Sequence, residues 1–104
     1  MAEIRITKEN FQQEVMESKL PVVIDFWASW CGPCRMLGPV VSQLAEAYEG
    51  KLKVGKVNVD EEGELAAQFS VMSIPLVVLM QDGKLVKSSL GYKSLEALKA
   101  ELGI

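Results

Sequence analysis

The sequence predicts an α/β protein with a central mixed sheet of five strands flanked by four helices, in the order β-α-β-α-β-α-β-β-α. Short apolar segments typical of strands alternate with longer segments of helical periodicity. The last two strand segments are separated only by a tight-turn signal. These observations predict a largely parallel sheet, covered by helices on both faces and finished by an antiparallel hairpin. With 104 residues, the chain is expected to form a single domain over residues 1–104.

The chain is expected to begin with an edge strand and a helix. Residues 3–6 alternate between polar and apolar side chains, which is typical of a short edge strand. Thr7 is a good helix cap, and apolar side chains then recur at helical spacing to about Glu17. Pro21 precedes the second strand, residues 22–28, whose apolar side chains fall on both faces. We therefore expect this strand at the centre of the sheet.

A long helix is predicted over residues 33–48, where apolar side chains form a wide stripe. Pro39 lies inside it and is expected to bend it, because proline removes a backbone donor and crowds the preceding turn. Gly50 is a typical helix stop. The third strand is predicted at residues 52–59, which alternate in character.

The rest of the chain is predicted to hold a short helix, a hairpin and a final helix. Residues 61–69 have a helical apolar face. The strands at residues 76–80 and 84–89 are joined by the Asp-Gly turn at residues 82–83, so they should pair as an antiparallel hairpin. Ser94 then caps the last helix.

The composition excludes several classes of function. Eleven basic and 14 acidic residues give a net charge of −3, without the basic patch that nucleic-acid binding requires. The absence of histidine excludes Ser-His-Asp and Cys-His catalysis. The longest apolar runs, about eight residues, are much shorter than the roughly 20 that span a bilayer. The first six residues lack the apolar core of a signal peptide, so a cytosolic, reducing location is expected.

The two cysteines of the chain, Cys31 and Cys34, lie where the second strand should pass into the long helix. Residues three positions apart on a helix have Cα atoms about 5 Å apart, within the roughly 4.4–6.8 Å that a disulfide needs. In an α/β chain without histidine, this pattern favours reversible redox chemistry. Two alternatives remain at this point: a pair of buried, reduced cysteines, or half of a metal site completed by a second chain.

The two cysteines are expected to play different parts in disulfide exchange. Cys31 stands just before the helix, where free N–H groups and the helix dipole lower the expected pKa of its thiol. Gly32 lets the backbone approach closely, and Pro33 fixes φ in the first turn without losing a hydrogen bond. Cys34 should lie deeper and stay protonated until needed. We therefore expect Cys31 to attack a target disulfide and Cys34 to resolve the mixed disulfide.

Asp25 is a carboxylate within the apolar second strand. If it is buried, its pKa is raised, and it could take and return the proton of Cys34 directly or through a water. Alternatively, it lies on a strand edge and points to solvent. Lys56 shares its parity with apolar residues of the third strand. It either lies near Asp25, where its charge moderates the carboxyl pKa, or extends along the surface.

Aromatic, apolar, glycine and proline residues near strand ends are candidates for a surface that docks an extended client peptide. They are Trp30, Pro33, Ile74, Pro75, Leu90 and Gly91. Taken singly, each fits a core or turn position, whereas the set together favours a docking surface.

Residues 27–35 read Trp-Ala-Ser-Trp-Cys-Gly-Pro-Cys-Arg, which resembles the active-site signature of bacterial-type thioredoxins nearly letter for letter. The resemblance covers the whole chain. It extends to residues 23–27, 56–60, 73–75 and 82–83 and to Met36, Pro39 and Gly91. It implies the thioredoxin fold.

The resemblance implies a protein-disulfide reductase, a thiol-disulfide oxidoreductase that carries electrons and contributes to cell redox homeostasis. The catalytic residues that it implies are Cys31, Cys34, Asp25 and Lys56. Pro33 occupies a position where related oxidases and isomerases tend to have a histidine, so Gly32 and Pro33 would tune the pair toward a reducing dithiol. The client-binding residues that it implies are Trp30, Ile74, Pro75 and Gly91. A cis bond between Ile74 and Pro75 would exclude metal and expose the Ile74 backbone to clients.

The resemblance also implies a monomeric, cytoplasmic protein without metal or bound cofactor, since the Cys31–Cys34 disulfide is itself the redox group. Its partners would be an NADPH-dependent flavoprotein, thioredoxin reductase, and disulfide-containing client proteins, with no nucleic acid and no membrane. Two rivals from other classes remain: a binding or processivity subunit that uses the fold without redox turnover, and a metal-bridged dimer.

Three positions depart from the usual pattern of the thioredoxins. Leu76 replaces the usual Thr after Pro75, and Tyr92 replaces a small residue after Gly91. Both are expected near the docking surface, so they leave client preference open. Arg35 replaces the more usual Lys and keeps the charge.

Overall fold

The computed structural model describes residues 3–104. The strands are β1 (Glu3–Arg5), β2 (Val22–Trp27), β3 (Lys53–Asn58), β4 (Leu76–Gln81) and β5 (Lys84–Leu90). The helices are a π-helical segment (Gln12–Met16), α1 (Gly32–Ala47), α2 (Gly63–Gln68) and α3 (Leu95–Leu102). The strands form one sheet in the order β1-β3-β2-β4-β5. The predicted architecture, a mixed five-stranded sheet with four helices, is therefore confirmed.

The central strand β2 sends alternate side chains into two cores. On one face, Val23 packs in a buried cluster with Leu37 of α1 and Leu98 of α3. On the other face, Ile24 belongs to a second cluster that includes Leu65 of α2 and Val15 of the π-helical segment. A strand with apolar side chains on both faces has to be covered on both faces, so its predicted central position is confirmed. Within residues 3–104, the helices are all too short or too polar to cross a bilayer.

The prediction of a largely parallel sheet is wrong, because parallel and antiparallel strand pairs are equal in number. Strands β1 and β2 run parallel to β3, but β4 runs antiparallel to β2 and β5 antiparallel to β4. Strand β4 starts at the end of the sheet where β3 finishes, after a connection that contains the short helix α2. Its direction is set by pairing with β2 and β5, and such contacts between distant segments cannot be predicted from the periodicity of each strand.

The first helical segment begins later than expected, and Thr7 caps the turn that leads into it. The Thr7 hydroxyl oxygen accepts a hydrogen bond from the backbone N–H of Asn10 at 3.3 Å, and the Asn10 side-chain oxygen accepts one from the Thr7 N–H at 2.8 Å. This reciprocal pair of bonds has the geometry of a capping box, so Thr7 caps the turn at residues 8–10 as its sequence position predicted. The helical segment then forms over Gln12–Met16 and has π geometry.

The other local predictions agree with the structure. Ser94 caps α3, its hydroxyl oxygen accepting from the Ala97 N–H at 3.2 Å. Asp82 and Gly83 both have positive φ, as a two-residue hairpin turn requires. Helix α1 continues through Pro39; the bend expected there stays a prediction.

Candidate active site

The site is built around the junction of β2 and α1. Cys31 is the N-cap residue of α1, Gly32 and Pro33 are its first two residues, and Cys34 lies in its first turn. Cys31 and Cys34 form a disulfide with a Cα–Cα distance of 5.2 Å. This agrees with the distance that helix geometry predicts for residues three positions apart. The same backbone therefore suits both the disulfide and the dithiol.

The helix start gives the Cys31 sulfur an electropositive environment. The backbone N–H of Cys34 donates to the Cys31 Sγ at 3.2 Å. An amide directed at the sulfur, together with the helix dipole, favours a thiolate on Cys31 once the disulfide is reduced. The expected difference in depth is not found, because Cys31 is 5% exposed and Cys34 is 4% exposed. Position on the helix, rather than depth, distinguishes the two sulfurs.

Asp25 lies in the interior, only 1% exposed. It pairs with Val77 of β4, which packs in the cluster under α1 and α3, so the carboxylate lies on the sheet face that α1 covers. Desolvation raises the pKa of Asp25 to about 6, while the nearby charge of Lys56 lowers it and that of Glu3 raises it. Neither carboxylate oxygen has a hydrogen-bond partner within residues 3–104. The alternative of an Asp that points to solvent is therefore wrong.

Lys56 lies directly opposite Asp25 on the neighbouring strand β3. Its Nζ lies 5.1 Å from the centre of the Trp27 ring, within the range of a cation–π interaction. The half-buried Lys56 side chain also lines a surface cleft of about 410 Å³, whose lining includes Trp27 and Asn58. Lys56 thus lies between the buried carboxylate and the surface.

The residues predicted to dock clients fall into two groups: some lie close to Cys31 or Pro75, and others are identified by their exposure to solvent. Ile74 comes close to the disulfide, with its carbonyl oxygen 3.9 Å from the Cys31 Sγ. The Gly91 N–H donates to the Pro75 carbonyl oxygen at 2.7 Å, so Gly91 lies next to the Ile74–Pro75 segment. Trp30 is 67% exposed, and Pro33 and Leu90 are exposed as well. The Ile74–Pro75 bond is cis, as the resemblance implies.

Pro75 differs from the rest of the predicted docking set because it is buried. It follows directly on Ile74 and immediately precedes β4, so its ring belongs to the interior while its neighbour faces the disulfide. Leu76 and Tyr92, which depart from the family pattern, also lie in different environments. Leu76 packs against the core on the α2 side of the sheet, whereas Tyr92 is exposed beside Gly91.

The structure adds residues that the sequence reasoning missed. The Trp30 indole N–H donates to the Asp60 carboxylate at 2.9 Å. Trp30 also lines a cleft of about 330 Å³, here called the Trp30–Met72 cleft. Its lining is mainly Trp30, Val59, Ala66, Val71, Met72 and Ile74. The one feature of the sequence that could have indicated the contact with Asp60 is the Trp30 indole N–H, a donor that usually has a partner.

Within residues 3–104, no three or more His, Cys, Asp or Glu side chains are grouped as a metal site requires. The chemistry that the arrangement can perform is thiol-disulfide exchange at Cys31 and Cys34, with Asp25 as a nearby carboxyl of raised pKa.

Comparisons with known proteins agree with this chemistry. The family model described as Thioredoxin matches residues 2–103. A thioredoxin of Alicyclobacillus acidocaldarius is 48% identical over 101 residues, which is 97% of this chain and 95% of the relative. A thioredoxin of Chlorobaculum thiosulfatiphilum is 51% identical over 85 residues, covering 82% and 79% of the two chains. Thioredoxin 1 of a Nostoc species is 48% identical over 90 residues, covering 86% and 84%.

Proposed function

Since this chain belongs to the thioredoxin family and is a protein-disulfide reductase that needs no cofactor besides its own cysteine pair, we propose the following roles for its residues. The Cys31 thiolate attacks one sulfur of a client disulfide and forms a mixed disulfide, while the other client sulfur leaves as a thiolate. The Cys34 thiolate then attacks the Cys31 Sγ, closes the Cys31–Cys34 disulfide and releases the second client thiolate. The client gains two electrons and the protein loses two.

The observation that carries this division is the N-cap position of Cys31. The Cys34 N–H points at the Cys31 Sγ at 3.2 Å, so negative charge is better stabilised on Cys31 than on Cys34. Cys34 must lose a proton before it can attack, and this requires a base nearby. A division into an attacking and a resolving sulfur follows from that difference.

Asp25 is the proposed acceptor of the Cys34 proton, directly or through a water. Three observations support this role: its burial on the face that α1 covers, its raised pKa of about 6, and its carboxylate oxygens without partners in residues 3–104. A carboxyl group with this pKa is mostly ionised at neutral pH and still basic enough to take a proton. Lys56, opposite it on β3, keeps the pKa from rising further.

The remaining residues are proposed to bind the client and to tune the pair. Gly32 and Pro33 form the first turn of α1 between the sulfurs, and they favour the reducing dithiol. Trp30, Ile74 and Gly91 contact the client backbone and side chains; support comes from the exposure of Trp30 and from the Ile74 carbonyl oxygen, 3.9 Å from the Cys31 Sγ. The buried Pro75 holds Ile74 in place beside Cys31.

We also propose a single domain over residues 1–104, a monomer that acts in the cytoplasm, and recycling by an NADPH-dependent flavoprotein thioredoxin reductase. Members of the family generally work with such a reductase and with disulfide clients. The match of the family model over residues 2–103 and the single sheet support the domain assignment. Neither nucleic acid nor a membrane is proposed as a partner.

The direct test is the reduction of insulin disulfides by dithiothreitol in the presence of catalytic amounts of the protein. We expect rapid turnover with the wild type and none with Cys31→Ser. Pre-reduced Cys34→Ser, freed of dithiothreitol and mixed with insulin, should accumulate a mixed disulfide with the client, detected by mass spectrometry. Turnover by Cys31→Ser would show that Cys31 is not the attacking sulfur. A mixed disulfide between the client and Cys34 in Cys31→Ser would reverse the proposed roles.

A further inference from the structure

Arg35 holds the segment that leads into Cys31. It directly follows Cys34 near the start of α1, and its Nη1 donates to the Ser29 carbonyl oxygen at 2.9 Å. Its backbone N–H also donates to the Cys31 carbonyl oxygen at 3.2 Å. The side chain therefore folds back toward the N-terminus of the helix, and the guanidinium lies beside Ser29, two residues before Cys31.

The charge of Arg35 is not compensated by an ion pair in the part of the chain that the structure describes. The ion pairs found within residues 3–104 join other residues. Helix α1 also has no acidic residue in its first turn. A cation at this end of a helix opposes the helix dipole, so the position is unfavourable for stability alone. Proteins depart from such local preferences mainly at functional sites.

The guanidinium of Arg35 is fixed but only partly used. Arginine has five N–H donors in a rigid fork, and the hydrogen bond of this side chain within residues 3–104 uses Nη1. Nε and Nη2 form another edge of the fork, which matches the two oxygens of a carboxylate. Arg35 is exposed, so a partner can reach it. Because the bond to Ser29 already orders the side chain, little conformational entropy is lost when a carboxylate binds.

A carboxylate of the protein itself lies close to the same segment but does not pair with Arg35. Asp60 is exposed and accepts the hydrogen bond of the Trp30 indole N–H at 2.9 Å. Arg35 and Asp60 thus hold opposite charges against two neighbouring residues, Ser29 and Trp30. A client carboxylate is attracted by Arg35 and repelled by Asp60. The effect must therefore depend on where the acidic residue stands relative to the target cysteine.

We propose that Arg35 determines client specificity by binding a carboxylate group near the target cysteine, so that disulfides with a glutamate or aspartate on that side are reduced faster. The proposal rests on the reductase function proposed above. The ion pair forms as the client approaches Cys31, so it acts mainly on the rate of association. A lysine at this position would keep the charge but not the two parallel N–H bonds.

The test uses the reduced protein in single turnover with short peptides, each holding one cysteine as a mixed disulfide with mercaptoethanol. Glutamate, glutamine or lysine is placed in turn at each position within two residues of the cysteine. At the best position and at low salt, we expect the second-order rate constant to be about fivefold higher for glutamate than for glutamine, and lowest for lysine. The preference should largely disappear at an ionic strength of about 1 M. Equal rate constants for glutamate and glutamine at every position would overturn the proposal.

Variants of Arg35 assign the preference. The ratio of the glutamate to the glutamine rate constant is compared within each variant, so that any change in the reactivity of Cys31 cancels. This ratio should fall in Arg35→Lys, reach about one in Arg35→Gln and drop below one in Arg35→Glu. Lys84→Gln and Lys84→Glu make the same changes in charge at an exposed residue of the hairpin turn, at the opposite end of β4 from Ile74. They should keep the wild-type ratio.

Three outcomes with these variants contradict the proposal. It is wrong if Arg35→Glu keeps the wild-type ratio, or if the Lys84 variants change the ratio equally. An equal slowing of all three peptides in Arg35→Gln would show that Arg35 only holds residues 29–31 in place.

A small substrate separates this proposal from the reductase function. Bis(2-hydroxyethyl) disulfide is uncharged and has no flanking residue, so its reduction by the wild type and its loss in Cys31→Ser test the reductase function alone. If that function holds while the peptides do not differ, the proposal for Arg35 alone fails.

Discussion

Asp25 and Lys56 lie directly opposite each other on the parallel strands β2 and β3, with Asp25 buried and Lys56 half-buried. Burial alone favours a neutral Asp25, and the lysine charge counteracts part of this effect. The resulting pKa of about 6 leaves the carboxyl group able to change its protonation state close to neutral pH. The stability of the protein and its redox chemistry therefore depend on the same buried group.

Replacing Asp25 by Asn should stabilise the oxidised protein at pH 8. The folded pKa of about 6 exceeds the ordinary value of 3.8, so the folded state binds more protons between these values. Stability should therefore fall as pH rises through this window, and by pH 8 the cost is about 3 kcal/mol. The variant lacks this cost. Urea unfolding should give a difference of up to about 3 kcal/mol at pH 8 that largely disappears near pH 3.5.

The exposed Asp82 provides a matched control, because Asn tolerates its positive φ. Asp82→Asn should give no pH-dependent gain. The same gain for Asp25→Asn at both pH values would contradict the prediction.

The Asp25→Asn variant should also slow the resolving step. Asn has nearly the same shape as Asp but cannot accept the Cys34 proton, so we expect a loss of roughly 100-fold near neutral pH. The wild-type rate should rise through about pH 6, where Asp25 ionises, and the variant should lack that inflection. Stopped-flow release of the client thiol from a preformed mixed disulfide measures this step. Equal wild-type and variant rates from about pH 6 to 9 would remove Asp25 from the mechanism.

Replacing Lys56 by Met should raise the pKa of Asp25 above 6, because the cation that lowers it is lost. The carboxyl carbon of Asp25, followed by ¹³C NMR as a function of pH, reports this value directly. Lys51→Met removes an exposed lysine before the start of β3 and is the control; it should leave the pKa of Asp25 unchanged. If Lys56→Met lowered the pKa or left it unchanged, Lys56 would not be the moderating charge.

Gly55→Ala should destabilise the fold by about 1–3 kcal/mol. A Cβ at Gly55 would lie 2.5 Å from Cγ1 and 2.9 Å from Cδ1 of Ile6, which is itself buried and cannot move aside freely. Gly38→Ala is expected to stabilise the fold. Gly38 lies within α1, and a Cβ added there would have no atom within 4 Å apart from the helix's own backbone. There the gain should be about 0.5–1 kcal/mol from helix propensity. Urea midpoints of both variants check the two signs.

Much of the redox site could be predicted because it is local. Two cysteines three positions apart at a helix start have their spacing set by the rise of the helix, and the observed 5.2 Å follows from that geometry. The hairpin turn at residues 82–83 and the Ser94 cap are local for the same reason. The Thr7 cap is local as well, whereas the later start of the first helical segment and its π geometry were not predicted.

What the sequence by itself determined is therefore the kind of elements, the central place of β2 and the pair of sulfurs at the start of α1. The tertiary structure decided which distant residues meet: Ile74 with Cys31, Lys56 with Asp25, and Asp60 with Trp30. Strand direction and register are set by contacts between segments far apart in the chain, as the antiparallel β4 illustrates.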